Sequence, residues 1–311
     1  MAIFLSNVVA LVAALQTPAA AQTVPPPPDT VAMLWARVHS DSQDVRAWFE
    51  LGRKYLRRRE VGDTALDRAR LDTADATLGR VTALDEGALG DSARAFLVFS
   101  WGARALLAWS RVGVEGAADV WTHLPESVRL SAELQELGEN LLRACPARGV
   151  LITACPIDTY AAWYLQFGRR LRRDLVVIPL EPWQTDSLFR RRVAGELRLA
   201  PAVVKGREDV EGRLVSAGVA RPLCASMLFE RPPLRRVRWT TRPLVWVSGR
   251  VGNDHARVED FVFAALRLAL DGSDTWAPPA VALYRRSAAA TPALCRSLKT
   301  FGVATEAGCR R

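Results

Sequence analysis

"ITACPIDTYAAWYLQFGRR", residues 152–170, starts as an apolar run, turns through a short polar elbow and continues with aromatic residues at helical spacing. The lead-in "RGVLITA" is short and continuously apolar, as a strand covered on both faces requires. "RRDLVVIPL", residues 172–180, is a second run of the same kind. Strand, helix and strand within about 30 residues make a βαβ unit, whose crossover is expected to be right-handed and its strands parallel. The elbow Cys155-Pro156-Ile157-Asp158 then falls at the carboxyl end of the first strand, where α/β sheets gather ligands and helix N-termini point free amides outward. Asp158 or Thr159 is the expected N-cap of the following helix. Asp158, Thr159 and Tyr160, with Trp183 after the second strand, form the expected contact edge for a ligand or partner, while Trp163, Tyr164 and Phe167 belong to the core.

Downstream, "SLFRRRVAGELRL", "EDVEGRLVSAG" and "VEDFVFAALRLAL" carry helical periodicity, and "RPLVWVSG" reads as a third buried strand. "PAVALYRR" reads as a last edge strand tolerating the prolines before it, and "TPALCRSLKTFG" as a terminal helix closed by Gly302. The expected sheet is mainly parallel with about four strands.

Upstream, the chain from Val31 to Ala144 shows helical periodicity throughout. In "DVRAWFELGRKY" the residues Trp48, Leu51, Gly52 and Tyr55 stand at the W-x-x-L-G-x-x-Y spacing of a tetratricopeptide first helix, with Ala74, Leu78, Val81 and Leu84 on the second. Gly52 lets the two helices approach closely. The link between them is about ten residues longer than the usual ~34-residue unit allows. "SARAFLVFSWGARALLAW", residues 92–109, is apolar on nearly every side, yet it holds Arg94 and Arg104 and falls short of the roughly 20 residues that span a bilayer. A helix buried between layers is expected there, followed by a closing amphipathic helix with Leu130, Leu134, Leu137 and Leu141 inward. The fold class is therefore α+α/β: an N-terminal tetratricopeptide-like helical bundle over 32–144, then a small Rossmann-like α/β domain over 145–311.

Residues 1–21 read as a signal peptide, with an apolar run from Ile3 to Leu15 and small residues Ala19, Ala20 and Ala21 before the expected cleavage point; an uncleaved membrane anchor is the alternative. Residues 22–31 form a proline-rich linker. Export to the periplasm or beyond permits disulfides. Cys295 with Cys309 is the expected bridge, while Cys145 and Cys155, at opposite ends of a strand, stand too far apart to join.

The net charge is +9. The arginines are spread over many segments and read as solvated faces, so no nucleic-acid partner is expected. No glycine-rich phosphate loop and no C-x-x-C pair occurs, and His39, His123 and His255 are dispersed, so neither a cofactor nor a metal is expected. The one catalytic arrangement that the order of residues permits is Cys155 as nucleophile, His255 as base, and Asp254 or Asp158 as orienter. Glu181, Gln184, Ser248 and Arg250 belong to the same side of the sheet.

Asp158-Thr159-Tyr160, then Trp163-Tyr164-Leu165-Gln166, then Arg173-Asp174 leading into Leu175-Val176-Val177-Ile178 and Leu180, with Trp183 beyond, resembles the soluble extracytoplasmic C-terminal region of bacterial multi-spanning O-mannosyltransferase-like membrane proteins. "RPLVWVSGRV" and "EDFVFAALRL" extend the resemblance. It implies an exported α/β module accompanied by tetratricopeptide-like helices. The elbow keeps Asp158 as its carboxylate, and the membrane-embedded glycosyltransferase half has no counterpart in this chain. The resulting expectation is a non-catalytic binding or scaffold protein of the cell envelope with a protein or glycan partner. An accessory unit of a membrane glycosyltransferase system, or a cysteine-dependent hydrolase, is the alternative.

Overall fold

The computed structural model describes residues 30–57, 64–126, 128–200, 207–248, 261–272, 276–305 and 307–309. The leader and most of the proline-rich linker lie outside them, although the linker's expected end, Thr30 and Val31, is already helical. Six helices come first: α1 (Thr30–Ser40), α2 (Val45–Arg57), α3 (Thr64–Leu84), α4 (Ala88–Val112), α5 (Val114–Thr122) and α6 (Ala132–Ala144). Helices α2 and α3 pack closely because Gly52 has no side chain; a Cβ there would stand 2.6 Å from Leu78. Helix α4 is the long apolar segment, and it is buried between neighbours as its composition demands. Arg104, at its centre, is neutralised by Asp72 at 2.8 Å and Asp75 at 2.6 Å, both on α3. Among the described residues no helix is long and apolar enough to cross a membrane.

The second half is built on β1 (Val150–Thr153), α7 (Pro156–Trp163) and β2 (Val176–Pro179). Strands β1 and β2 are parallel and in register, Val150 beside Val176 and Ile152 beside Ile178, as the two apolar runs require. Helix α7 widens into a π-helical turn, Tyr164–Gly168. There the Gln166 side-chain amide donates to the carbonyls of Arg172 (3.0 Å) and Leu175 (2.8 Å) and fixes the return to β2. Arg172 donates to the carbonyls of Leu142, Cys145 and Pro146, satisfying acceptors that the end of α6 leaves open. After β2 come α8 (Leu180–Thr185), α9 (Ser187–Glu196), α10 (Arg207–Ala220), β3 (Leu223–Ser226), β4 (Thr240–Arg242), β5 (Val245–Ser248), α11 (Ala264–Asp271), α12 (Ala277–Ala290) and α13 (Leu294–Thr300).

The sheet order is β2-β1-β3-β5-β4. Strand β3 runs parallel to β1, β5 antiparallel to β3, and β4 antiparallel to β5, so four of the five strands point the same way. The architecture is thus mixed α/β with a small, mostly parallel sheet. It departs from the expectation in three places. Among the described residues there are five strands, because "LCAS" forms β3 and Thr240–Arg242 forms β4, neither of them expected from the sequence. The "RPLVWVSG" strand is the antiparallel arm of a hairpin, not a continuation of the parallel series. "PAVALYRR" is helical within α12, where Pro278 and Pro279 occupy the first turn, a position with no need of an amide hydrogen. Helix α13 ends as expected. Gly302 adopts φ +72, its N–H bonds Lys299 O, and the N–H of Val303 bonds Leu298 O.

One hydrophobic cluster runs from Phe49 through β1, β2, β3 and β5 to Ala307. The change at residue 145 is therefore a change of element type within a shared core. Trp109 of α4 meets Trp163 of α7 at 5.3 Å and Phe189 of α9 at 5.6 Å between ring centroids. Gly138 of α6 sits against α7; a Cβ there would approach the Ala161 carbonyl to 2.7 Å. Two disulfides close the fold, the expected Cys295–Cys309 and, joining the end of α6 to β3, Cys145–Cys224 with Cα atoms 5.8 Å apart.

Candidate functional site

Strand β1 ends at Thr153, and the chain must turn sharply to enter α7 with its first amides satisfied. Cys155 is the N-cap, with extended backbone at φ −153 and ψ 174, and Pro156 takes the first helical position. Asp158 is therefore the third residue of the helix, not its cap as its composition suggested. Its carboxylate reaches back: Oδ2 accepts the N–H of Ala154 at 2.8 Å and Oδ1 that of Cys155 at 2.9 Å. The Cys155 thiol faces the Asp158 amide, completing a capping box. Ser226, at the end of β3, lies beside the carboxyl group, and its hydroxyl favours the charged form. Thr159, the other candidate cap, bonds the Cys155 carbonyl (2.8 Å) and the Thr153 hydroxyl (2.7 Å).

This arrangement uses the elbow's polar groups internally. Asp158 is fully buried and Thr159 nearly so. Burial raises the Asp158 pKa above its ordinary value, against the amides of Ala154 and Cys155 and the Ser226 hydroxyl, which lower it. Trp183 is also fully buried, its indole N–H donating to the Val210 carbonyl at 3.0 Å. Of the expected contact edge, only Tyr160 keeps partial exposure, and its ring lies against Phe99 and Trp163. Asp158 and Thr159 thus clasp the start of α7 to the end of β1, Trp183 ties α8 to α10, and these three present no surface to a ligand. Trp163 and Tyr164 are core, as expected, with Phe167 packed half-buried beside them.

Cys155 is the free cysteine among the described residues. Burial pushes its thiol up to about 12, with the neighbouring Asp158 carboxylate adding to the rise. A nucleophilic thiol needs the opposite environment, a cationic or dipolar setting that favours thiolate. Asp254, His255 and Arg250 lie outside the described residues. Glu181 is exposed and Gln184 half-buried on α8, after β2, whereas Ser248 pairs with Leu223 at the opposite end of the sheet, because β5 runs antiparallel, and so does not share the elbow's side as expected. No group of His, Cys, Asp or Glu among the described residues is placed to hold a metal ion.

A second buried carboxylate escaped the sequence reading. Glu136, on the inward face of α6, accepts the N–H groups of Ala265 (2.8 Å) and Leu266 (3.1 Å), capping α11 from another part of the chain. Asn140, one turn on, donates to the Val262 carbonyl at 2.6 Å and accepts its N–H at 3.2 Å. Burial raises Glu136 to about 7; the amides of α11 oppose the rise and Glu133 adds to it. The folded state then holds a proton that the unfolded chain releases above about 4.5, so this group's contribution is complete below that pH and disappears as pH rises through 7. The expected decline is on the order of 3 kcal/mol. Urea titrations between pH 4 and 8 should show it, and Glu136→Gln should flatten it; an unchanged slope in the variant would refute the assignment.

No match to the chain emerges among protein-family models, curated proteins or solved structures.

Proposed function

We propose that the protein is a non-catalytic binding or scaffold protein of the cell envelope, acting outside the cytoplasm. The observation that carries this reading is the inward commitment of the elbow: Asp158 is fully buried on backbone amides, and the adjacent Cys155 thiol is pushed up to about 12. Chemistry at the carboxyl end of β1 would need both groups accessible and reactive. The two disulfides support an oxidising compartment, since thiols are kept reduced in the cytoplasm. Helices α2 and α3, with Gly52 against Leu78, are read here as a degenerate tetratricopeptide-like repeat, and the β1-α7-β2 unit as the start of a Rossmann-like sheet. Such helical pairs present surfaces to protein or glycan partners without chemistry of their own.

The test is made on the whole chain, expressed with its own N-terminus in a bacterial host and fractionated. Recovery outside the cytoplasm is expected, with four cysteines oxidised and Cys155, partly exposed but held as thiol, alkylated slowly near neutral pH. Cytoplasmic recovery with all cysteines reduced would sink the envelope reading. Rapid labelling of Cys155 in the folded protein near neutral pH would instead favour a cysteine hydrolase.

A further inference from the structure

Arginines that are far apart in sequence meet at one end of the sheet. Strands β1, β2, β3 and β4 all start at that end, because β3 is parallel to β1 and the two antiparallel steps through β5 restore the direction in β4. Each is entered past an arginine: Arg148 before Val150, Arg173 before Val176, Arg221 before Leu223 and Arg238 before Thr240. In the order β2-β1-β3-β5-β4 these entries make a row across the sheet, with a strand-to-strand step of about 4.8 Å. Arg169 and Arg170 add to the same end from the turn that leads into β2. Arg148, Arg169, Arg170, Arg173 and Arg238 are exposed, Arg221 half-buried. None of the six guanidinium groups has a carboxylate partner among the described residues. The carboxylate within these entry turns, Asp174, is already held by Arg172 at 2.9 Å and by the Arg148 N–H at 2.7 Å.

The backbone shows a cost for keeping arginine here. Arg148, Arg170 and Arg172 have φ of 55, 57 and 48, a left-handed conformation that glycine adopts without strain. Arg172 repays it with three carbonyl bonds at the end of α6. Arg148 and Arg170 hold no such side-chain bond among the described residues, which leaves their guanidinium groups for the surface.

We propose that this end of the sheet is a docking surface for an anionic lipid bilayer, the arginines pairing with phosphate headgroups. Guanidinium groups suit phosphate because their donors lie in a planar fork. The six charges extend along the strand row and also off it, as a plane requires and a single polymer strand does not. Of the rings at this end, Phe167 packs on Trp109 and Trp163, and the edge of Trp239 is held by its N–H bond to the Pro233 carbonyl at 2.7 Å, so no row of open rings accompanies the arginines as single-strand recognition requires. No large exposed apolar residue lies on the entry turns, so attachment is peripheral and sensitive to salt. The surface is independent of the envelope reading, because lipid binding is measured on purified protein whatever its compartment.

The test is vesicle flotation with the full chain, using phosphatidylcholine vesicles with and without phosphatidylglycerol. Binding is expected with the anionic lipid only and should fall with added salt. At about fivefold per arginine, the combined variant R148Q/R173Q/R221Q/R238Q should lose roughly a thousandfold in affinity. R46Q/R68Q/R191Q/R296Q removes the same charge from exposed positions elsewhere and should lose under tenfold. Arg170→Gly should keep or raise the Tm, since the strained φ is relieved, while weakening vesicle binding about fivefold. Equal losses in the two fourfold variants, binding that ignores salt, or unchanged binding by Arg170→Gly would overturn the proposal. So would tighter, arginine-dependent binding to a single-stranded oligonucleotide or to polygalacturonate, which would make a polymer the occupant.

Discussion

Asp158→Ala is expected to destabilise the protein by about 3–5 kcal/mol, the usual consequence of removing one partner from a buried polar cluster. The substitution leaves the N–H groups of Ala154 and Cys155 without the carboxylate that accepts them, at a position where Asp158 itself is fully buried. Asp158→Asn keeps the shape and one acceptor oxygen, so its cost should be well below that of alanine. The pH dependence distinguishes the two forms of the group. Because burial raises the Asp158 pKa, its contribution is greatest below the ordinary value of 3.8 and declines as pH rises through the folded-state pKa. The asparagine variant has no such decline. Denaturant melts of the wild type and both variants at two pH values measure all of this; an alanine variant as stable as the wild type would show that the clasp contributes nothing.

The second large effect is expected from Cys145–Cys224. This bridge closes a loop of sequence separation 79, whereas Cys295–Cys309 closes one of 14. Chain entropy then assigns about 4.5 kcal/mol to the first and about 3 kcal/mol to the second. Cys145→Ser with Cys224→Ser should therefore lower stability more than Cys295→Ser with Cys309→Ser. Thermal melts under non-reducing conditions compare them directly, and an inverted order would mean that the entropy of the unfolded chain is not what the longer bridge restrains. Cys145 and Cys224 are both buried, so the longer bridge should also resist reduction in the folded protein.

The sequence carried the parallel pair β1 and β2 because each is a continuous apolar run with no other reading of comparable length. It did not carry β3. "LCAS" is four residues with a cysteine, an alanine and a serine, too short and too small to stand out from a helix end. Missing β3 concealed both the Cys145–Cys224 bridge and Ser226 beside Asp158. The direction of β5 was equally hidden, since "LVWVS" looks the same whichever way its neighbour runs. "PAVALYRR" did contain its own signal, as two prolines in succession suit the first turn of a helix. At the elbow, the residue types were legible and their roles were not. Asp three residues after Cys155 and behind Pro156 is capping-box spacing, and it makes the carboxylate an internal tie. The arginine row was unreadable in one dimension, because only the order of the strands brings positions 148, 173, 221 and 238 to the same end.

The placement of the Cys145–Cys224 bridge also decides how the molecule would bear mechanical load. A pull on its two termini passes from the end of α6 straight across the sulfurs into β3, and the loop between them, with β1, α7 and β2, lies outside the path of tension. Stretched to rupture, the oxidised chain would stop short of the reduced one by about 270 Å of contour. The elbow would carry none of that tension for as long as the bridge held.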